Sequence, residues 1–210
     1  MGVSMQHWNG NQLCAIDTET TGLDPFFHEI VQLGILALDS NFEPRRDVLP
    51  FYIEIRPEHP ERANKEAMRK NGLNLAELTL SGFDREKAKT LLHEWIEKLG
   101  LPMRKYGAER CKVMPLVHNA VHDIPFMRRW LDFDEYDEIF HPYIRDTMFS
   151  ALFCNDRAAT HVERVPYSKV NLTYLCSTLK VENPRAHDAL ADCAATAEVY
   201  RKMTFSGLLG

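Results

Sequence analysis

The chain has 210 residues, 45% of them apolar and 26% charged, with a formal net charge of −5. This is the balance of a soluble globular protein long enough to bury a full core, and no run comes near the ~18 consecutive apolar residues of a membrane span. The acidic surplus weighs, at first sight, against a nucleic-acid partner.

Leu13, Cys14, Ala15 and Ile16 lead into Asp17, so residues 12–17 read as a buried strand with a carboxylate at its end. Residues 29–38, "EIVQLGILAL", predict a second strand after the turn residues Gly22, Asp24 and Pro25, and 50–55, "PFYIEI", a short third. A short helix is expected over 63–71, stopped by Gly72. Another is expected over 84–99, with Asp84 as N-cap and Gly100 and Pro102 beyond its end. Residues 112–117, "KVMPLV", predict a fourth strand, at an edge or irregular because of Pro115. Helical patterns follow at 124–131, 146–154, 171–179 and 188–203. The expected fold is α/β: an antiparallel meander continued by strands that cross over through helices. No internal repeat or Gly/Pro/Ser-rich linker divides the chain, and one domain over 8–205 is expected.

The segment "MGVSMQHWNG" has neither the basic nor the apolar region of a secretory signal, and Gln6 breaks the myristoylation pattern. Five scattered cysteines (Cys14, Cys111, Cys154, Cys176, Cys193) form no CxxC pair. They read as reduced, mostly buried thiols of a cytoplasmic protein.

Three acidic clusters carry the chemistry. Asp17 and Glu19 stand at i and i+2 of a strand, so both project to one side while Thr18 points away. Paired carboxylates repel unless they share a proton or a cation, and oxygen ligands of this kind suit Mg²⁺ or Mn²⁺. Alone, the pair is a weak signal and is more often the solvated end of a strand. In "HNAVHDIPFM", residues 118–127, Asp123 fits an N-cap with Pro125 just inside a helix. His118 and His122 are spaced for zinc at i and i+4, but zinc needs three or four ligands and no HExxH is present. In "RAHDALADCAAT", residues 185–196, small residues predict a helix that another backbone approaches closely or one packed tightly on a sheet. His187 and Asp192 share a face only if His187 lies in the loop before the helix, with Asp188 as N-cap and Asp192 in the second turn.

Taken together, D-x-E after a strand, Asp at a helix start and H-x-A-x-x-D near the C-terminus are far more specific than any one of them. At this point the sequence resembles the DEDDh branch of the DEDD 3′–5′ exonucleases, the DnaQ-like group, with a ribonuclease H-like fold. "DTETTGL", "HNAVHD" and "HDALAD" resemble its three motifs, and "RDTM" and "NLTYLCSTL" the segments leading into the third. The arrangement is most similar to ribonuclease T and the proofreading subunit of bacterial replicative polymerases. One departure is His122, where the second motif usually carries an aromatic such as Phe.

The resemblance implies two divalent ions, Mg²⁺ or Mn²⁺, held by Asp17, Glu19, Asp123 and Asp192, with His187 as general base. Asp17 touches both ions, Glu19 and Asp192 complete the site of the nucleophilic water, and Asp123 supports the second ion. Such a charge would offset most of the acidic surplus. The substrate implied is single-stranded DNA or RNA with a free 3′ end, released as nucleoside 5′-monophosphates. The terminal sugar would dock near Glu19, Thr20 and Thr21, and Leu23 or Tyr143 would pack on the terminal base. Asn119 and His122 complete the substrate-binding set, Asn119 being equally a structural residue before its helix. The ribonuclease T-like wedge positions fall on Leu23, Lys70, His122 and Tyr143, an incomplete aromatic set. Lys65, Arg69, Lys70, Arg128, Arg129 and Arg185 are the basic residues placed to track phosphates or simply to face water. A homodimer or a polymerase partner is implied by the nearest relatives. The alternatives are a proofreading subunit, a nucleic-acid-binding module without catalysis, and a zinc hydrolase built on His118 and His122.

Overall fold

The structure is a computed structural model that describes residues 8–103, 109–161 and 163–205. Its centre is a five-stranded mixed sheet. β1 (Gln12–Thr20), β2 (Ile30–Ala37) and β3 (Phe51–Glu54) form the antiparallel meander. β4 (Val113–Val117) returns parallel to β1, and a two-residue β5 (Arg145–Asp146) lies parallel to β4. The order across the sheet is β3-β2-β1-β4-β5. β4 is therefore not an edge strand, yet Pro115 is accommodated. The Val113 carbonyl accepts from the His141 N–H outside the sheet, and Pro115, two residues on, turns its missing N–H to that same side. β5 begins only opposite Leu116.

The helices are α1 (Lys65–Asn71), α2 (Leu75–Ser81), α3 (Arg85–Lys98), α4 (Ala120–Leu131), α5 (Phe133–Ile139), α6 (Thr147–Thr160), α7 (Leu172–Leu179) and α8 (Ala189–Phe205). Asn64, Asn74, Asp84, Asp146 and Asn171 cap α1, α2, α3, α6 and α7 through side-chain oxygens that accept early backbone N–H groups. α2, α5 and β5 are absent from the sequence-based expectation, and α4 begins four residues earlier than its apolar pattern.

Alternation along β1 divides the core. Cys14 and Ile16 face a cluster with Leu92 and Trp95 of α3, Phe126 and Met127 of α4, and Tyr136 of α5. Leu13 and Ala15 face Cys193 and Ala197 of α8. α6 and α7 pack on the far side of α8 through Cys154, Leu175 and Val199. Each fully buried aliphatic side chain contributes ~1.5–3 kcal/mol relative to exposure. The five cysteines are all buried, and none is in a disulfide. Among the described residues no helix is long and apolar enough to cross a membrane.

α8 lies unusually close to β2. A Cβ placed on Gly34 would meet the Ala189 carbonyl carbon at 2.7 Å, and the Cys193 thiol donates to the Gly34 carbonyl at 3.2 Å. The buried Gln32 side chain accepts from the Ala189 N–H at 2.7 Å, satisfying an otherwise orphaned donor at the helix start. The small residues of α8 thus serve the close backbone approach their pattern predicts.

Candidate active site

β1 continues past its apolar run to Thr20, so Asp17 and Glu19 lie within the ladder rather than beyond it. Asp17 is paired with Gly34 and Glu19 with Gln32, the two β2 residues that seat α8. Continuing the alternation of Leu13 and Ala15, both carboxylates face α8. The ladder becomes irregular between Glu19 and Thr20, where the chain leaves for the β1–β2 loop.

α8 supplies the next carboxylate. Asp188 caps the helix by accepting from the Ala191 N–H at 2.9 Å. Asp192, 6% exposed, lies in the first turn of α8 rather than the second, because the helix starts at Ala189. One of its oxygens accepts from Asn183 Nδ2 at 2.5 Å, the other from the His187 N–H at 3.1 Å. His187 lies in the preceding loop with φ +71°, a left-handed conformation uncommon for a residue with a side chain. This turn brings ligand atoms of Glu19, His187 and Asp192 within 4.8 Å of one another.

Asp123 comes from the opposite face. α4 starts at Ala120, so Asp123 belongs to its first turn and is not the N-cap; Asn119 holds that position at φ +74°. The first N–H groups of α4 are met instead by Asp146, which accepts from Asn119 N at 3.3 Å and Ala120 N at 2.7 Å while also capping α6. Asp123 is 2% exposed, and one of its oxygens accepts both the Thr18 N–H (3.0 Å) and the Thr18 hydroxyl (2.7 Å). Thr18 does point away from Asp17 and Glu19, and it points at Asp123.

Crowding and burial set the electrostatics. Burial, then Asp123, Asp192 and Glu19, raise the Asp17 carboxyl well above the usual range. Burial, then Asp192 and Asp123, push Glu19 up to about 8, opposed by Lys70. Burial pushes Asp123 up to about 7 against the two Thr18 hydrogen bonds. Carboxylates that repel this strongly are stabilised by a cation, and one lysine is a poor match for them. An oxygen-rich carboxylate set suits a divalent metal, so the residues present fit the cofactor implied by the resemblance.

The remaining residues divide by where they point. The Thr20 hydroxyl donates to the Gly22 carbonyl, and the Thr21 hydroxyl accepts from the Glu29 N–H, so both are engaged inside the loop. The Thr21 carbonyl accepts from the Asn64 N–H, which ties the loop to α1. Leu23 is 82% exposed at the loop tip. His122 packs on Phe126 at 5.0 Å between ring centres, and burial and Lys70 lower its pKa. Tyr143 is exposed on the loop before β5, with its ring against His141. His118 bonds the Thr147 hydroxyl at 2.8 Å and joins no metal-capable group among the described residues. Arg128 pairs with Asp137 and Arg185 with Asp188. Thr18, Gln32, Gly34 and Asn183 position the site without having been singled out in the sequence. Their partners lie far along the chain or behind a proline, and no local pattern marks them.

A profile of the exonuclease family, RNase T type, matches residues 14–200. No curated protein matches significantly in sequence. Among solved structures, exonuclease I from Methylocaldum szegediense superposes with a TM-score of 0.71 at 20% identity, covering 95% of this chain and 42% of that one. E. coli exonuclease I in complex with a dT13 oligonucleotide gives 0.69 at 18% identity, with 93% and 41% covered. Cell-death related nuclease 4 gives 0.69 at 18% identity, with 95% and 65% covered. The chain thus spans less than half the length of exonuclease I, and what it shares with these proteins is the ribonuclease H-like exonuclease fold. Because the profile runs through the strand, the helix start and the C-terminal helix that carry the acidic residues, the chain belongs to the RNase T exonuclease family, the DnaQ-like group.

Proposed function

We propose that the protein is a DEDDh-type 3′–5′ exonuclease that removes nucleoside 5′-monophosphates from single-stranded DNA or RNA. The observation that carries this reading is the convergence of Asp17, Glu19, Asp123 and Asp192 with His187 where β1, α4 and α8 meet. The oligonucleotide bound to E. coli exonuclease I supports a single strand as the ligand.

Two divalent ions, Mg²⁺ or Mn²⁺, would be held by Asp17, Glu19, Asp123 and Asp192, and bound there they would neutralise charge on the scissile phosphate and acidify a water. Thr18 and Asn183 hold Asp123 and Asp192 in place for this. His187 accepts the proton of the attacking water as its oxygen bonds to phosphorus and the bond to the 3′ oxygen breaks. The exposed Leu23 packs against the terminal base, while Thr20 and Thr21 fix the loop that carries it. His122, Asn119 and Tyr143 flank the strand.

The test is a 5′-labelled single strand, as DNA and as RNA, incubated with Mg²⁺, Mn²⁺ or EDTA beside the Asp17→Ala variant. A ladder shortening from the 3′ end, lost with EDTA and in the variant, is expected. Intact substrate under every condition, or cleavage that survives Asp17→Ala, would overturn the proposal.

A further inference from the structure

Behind the β1–β2 loop lies a cavity of about 250 Å³ that none of the five acidic-site residues lines. Four arginines line it, Arg56, Arg62, Arg85 and Arg129, against two glutamates, Glu29 and Glu58. This is a local surplus of positive charge in a chain whose net charge is −5. Glu29 is already engaged, its two oxygens accepting the N–H groups of Glu58 and His59 at 2.9 and 2.8 Å. The arginines are poorly neutralised. Arg56 reaches Asp84 only at 4.0 Å and Arg62 reaches Glu61 at 3.9 Å. Among the described residues Arg129 meets no carboxylate. Its guanidinium lies over the Phe26 ring at 5.6 Å. Arg62 lies over Phe27 at 5.4 Å. Both rings are exposed, Phe26 at 73% and Phe27 at 49%.

Guanidinium groups beside exposed aromatic rings are the combination that binds single-stranded nucleic acid, charge for the phosphates and ring faces for the bases. The cavity is also lined by the same loop that leaves the acidic site after Glu19. Leu23 and Phe26 stand three residues apart on one loop, at most ~10 Å of chain. The His28 ring lies against Gly22, where an added Cβ would fall 2.2 Å from it. Leu23 and Phe26 are both exposed on this loop, at 82% and 73%, so one strand can reach both.

We infer that this arginine-lined cavity is a second nucleotide subsite that takes a phosphate and base of the substrate strand upstream of its 3′ end. The inference rests on the nuclease reading of the carboxylate site. Its ligand chemistry is a nucleotide phosphate, supplied either by the strand or by a free mononucleotide.

The test reads binding and needs no turnover, so it is separable from a failure of hydrolysis. Fluorescence anisotropy of a labelled 12-nucleotide single strand is followed against salt, with EDTA present, for the wild type and for Arg56→Ala/Arg62→Ala/Arg129→Ala. Arg85 is left intact because it bonds the carbonyls of Trp130 and Arg129. Loss of three phosphate contacts should weaken binding at least tenfold and lower the log–log salt slope by about 2, at ~0.7 per contact for single strands. Arg46→Ala, an exposed arginine beyond the other end of β2, should change affinity less than twofold. If the triple variant does not fold, Arg62→Gln alone should lower the slope by ~0.7, and Phe26→Ala should weaken binding by about 5- to 150-fold, the range for one lost stacking contact. Competition by a deoxynucleoside 5′-monophosphate distinguishes the sources. Inhibition equal in wild type and triple variant supports the strand. A triple variant that loses only mononucleotide binding, or whose affinity and slope match the wild type, overturns the inference.

Discussion

Thr18 stands between two carboxylates on β1 and holds a third from α4. Its hydroxyl and N–H converge on one oxygen of Asp123, leaving the other oxygen for a cation. A hydrogen bond to a charged group contributes ~1.5–3 kcal/mol, so Thr18→Val should lower kcat/KM by about tenfold or more, and Thr18→Ser should restore most of it. Steady-state kinetics of the pair checks this, and a serine variant as poor as valine would argue against the hydroxyl's role. At His187, alanine should lower kcat by about 10²–10⁴, the usual range for a general base. Metal affinity, read by calorimetry, should stay within a few-fold; a loss confined to metal binding would make His187 a ligand instead. The carboxylates were legible in the sequence because their chemistry is carried by spacing. Thr18, Gln32 and Asn183 were not, since their partners lie 105, 157 and 9 residues away and polar residues at these positions have no pattern of their own.

The elements that build the site are those with strong periodic patterns. β1, β2, α3 and α8 fall within a few residues of expectation because each buries a continuous apolar face. α2 and α5 are seven residues each and β5 only two, too short for a period to emerge. α4 starts early because Asp146 supplies its cap from another element. Gly34 is the most demanding contact between elements. A methyl group there would fall 2.7 Å from the Ala189 backbone, so Gly34→Ala must shift α8 or the strand. Overpacking of this kind costs ~1–3 kcal/mol, a Tm lowered by several degrees at ~2–4 °C per kcal/mol for a chain of this size. Because the shift moves Asp192 away from Asp17, activity should fall at temperatures where the variant remains folded. Thermal melts and rates measured together check both.

Across the whole molecule the acidic cluster links proton, cation and fold. Without metal, Glu19 keeps its proton up to about pH 8 and Asp123 up to about 7. In the unfolded chain both lose it near ~4. The folded state therefore binds more protons through that window, and stability falls as pH rises from about 5 to about 8. Melts of EDTA-treated protein should show this decline, and Asp17→Asn, which removes one of the three raised groups, should flatten it; a Tm that climbs over the same range would contradict the picture. The overall α/β architecture is readable because its longer strands and helices carry clear periods, whereas the placement of the arginine-lined cavity depends on segments brought together from four parts of the chain. The seat that Gly34 and Gln32 offer to Ala189 has a consequence for biosynthesis. The partners are separated by 155 and 157 residues, so the first hairpin emerges from the ribosome long before the helix that completes it. Until then Asp17 and Glu19 remain hydrated and unpaired, and the hairpin has nothing to test its register. A slip of one residue would put the bulk of Leu33 or Ile35 where only glycine admits a helix. A helix made long after these strands thus checks their register, and the site cannot be complete until α8 has been synthesised.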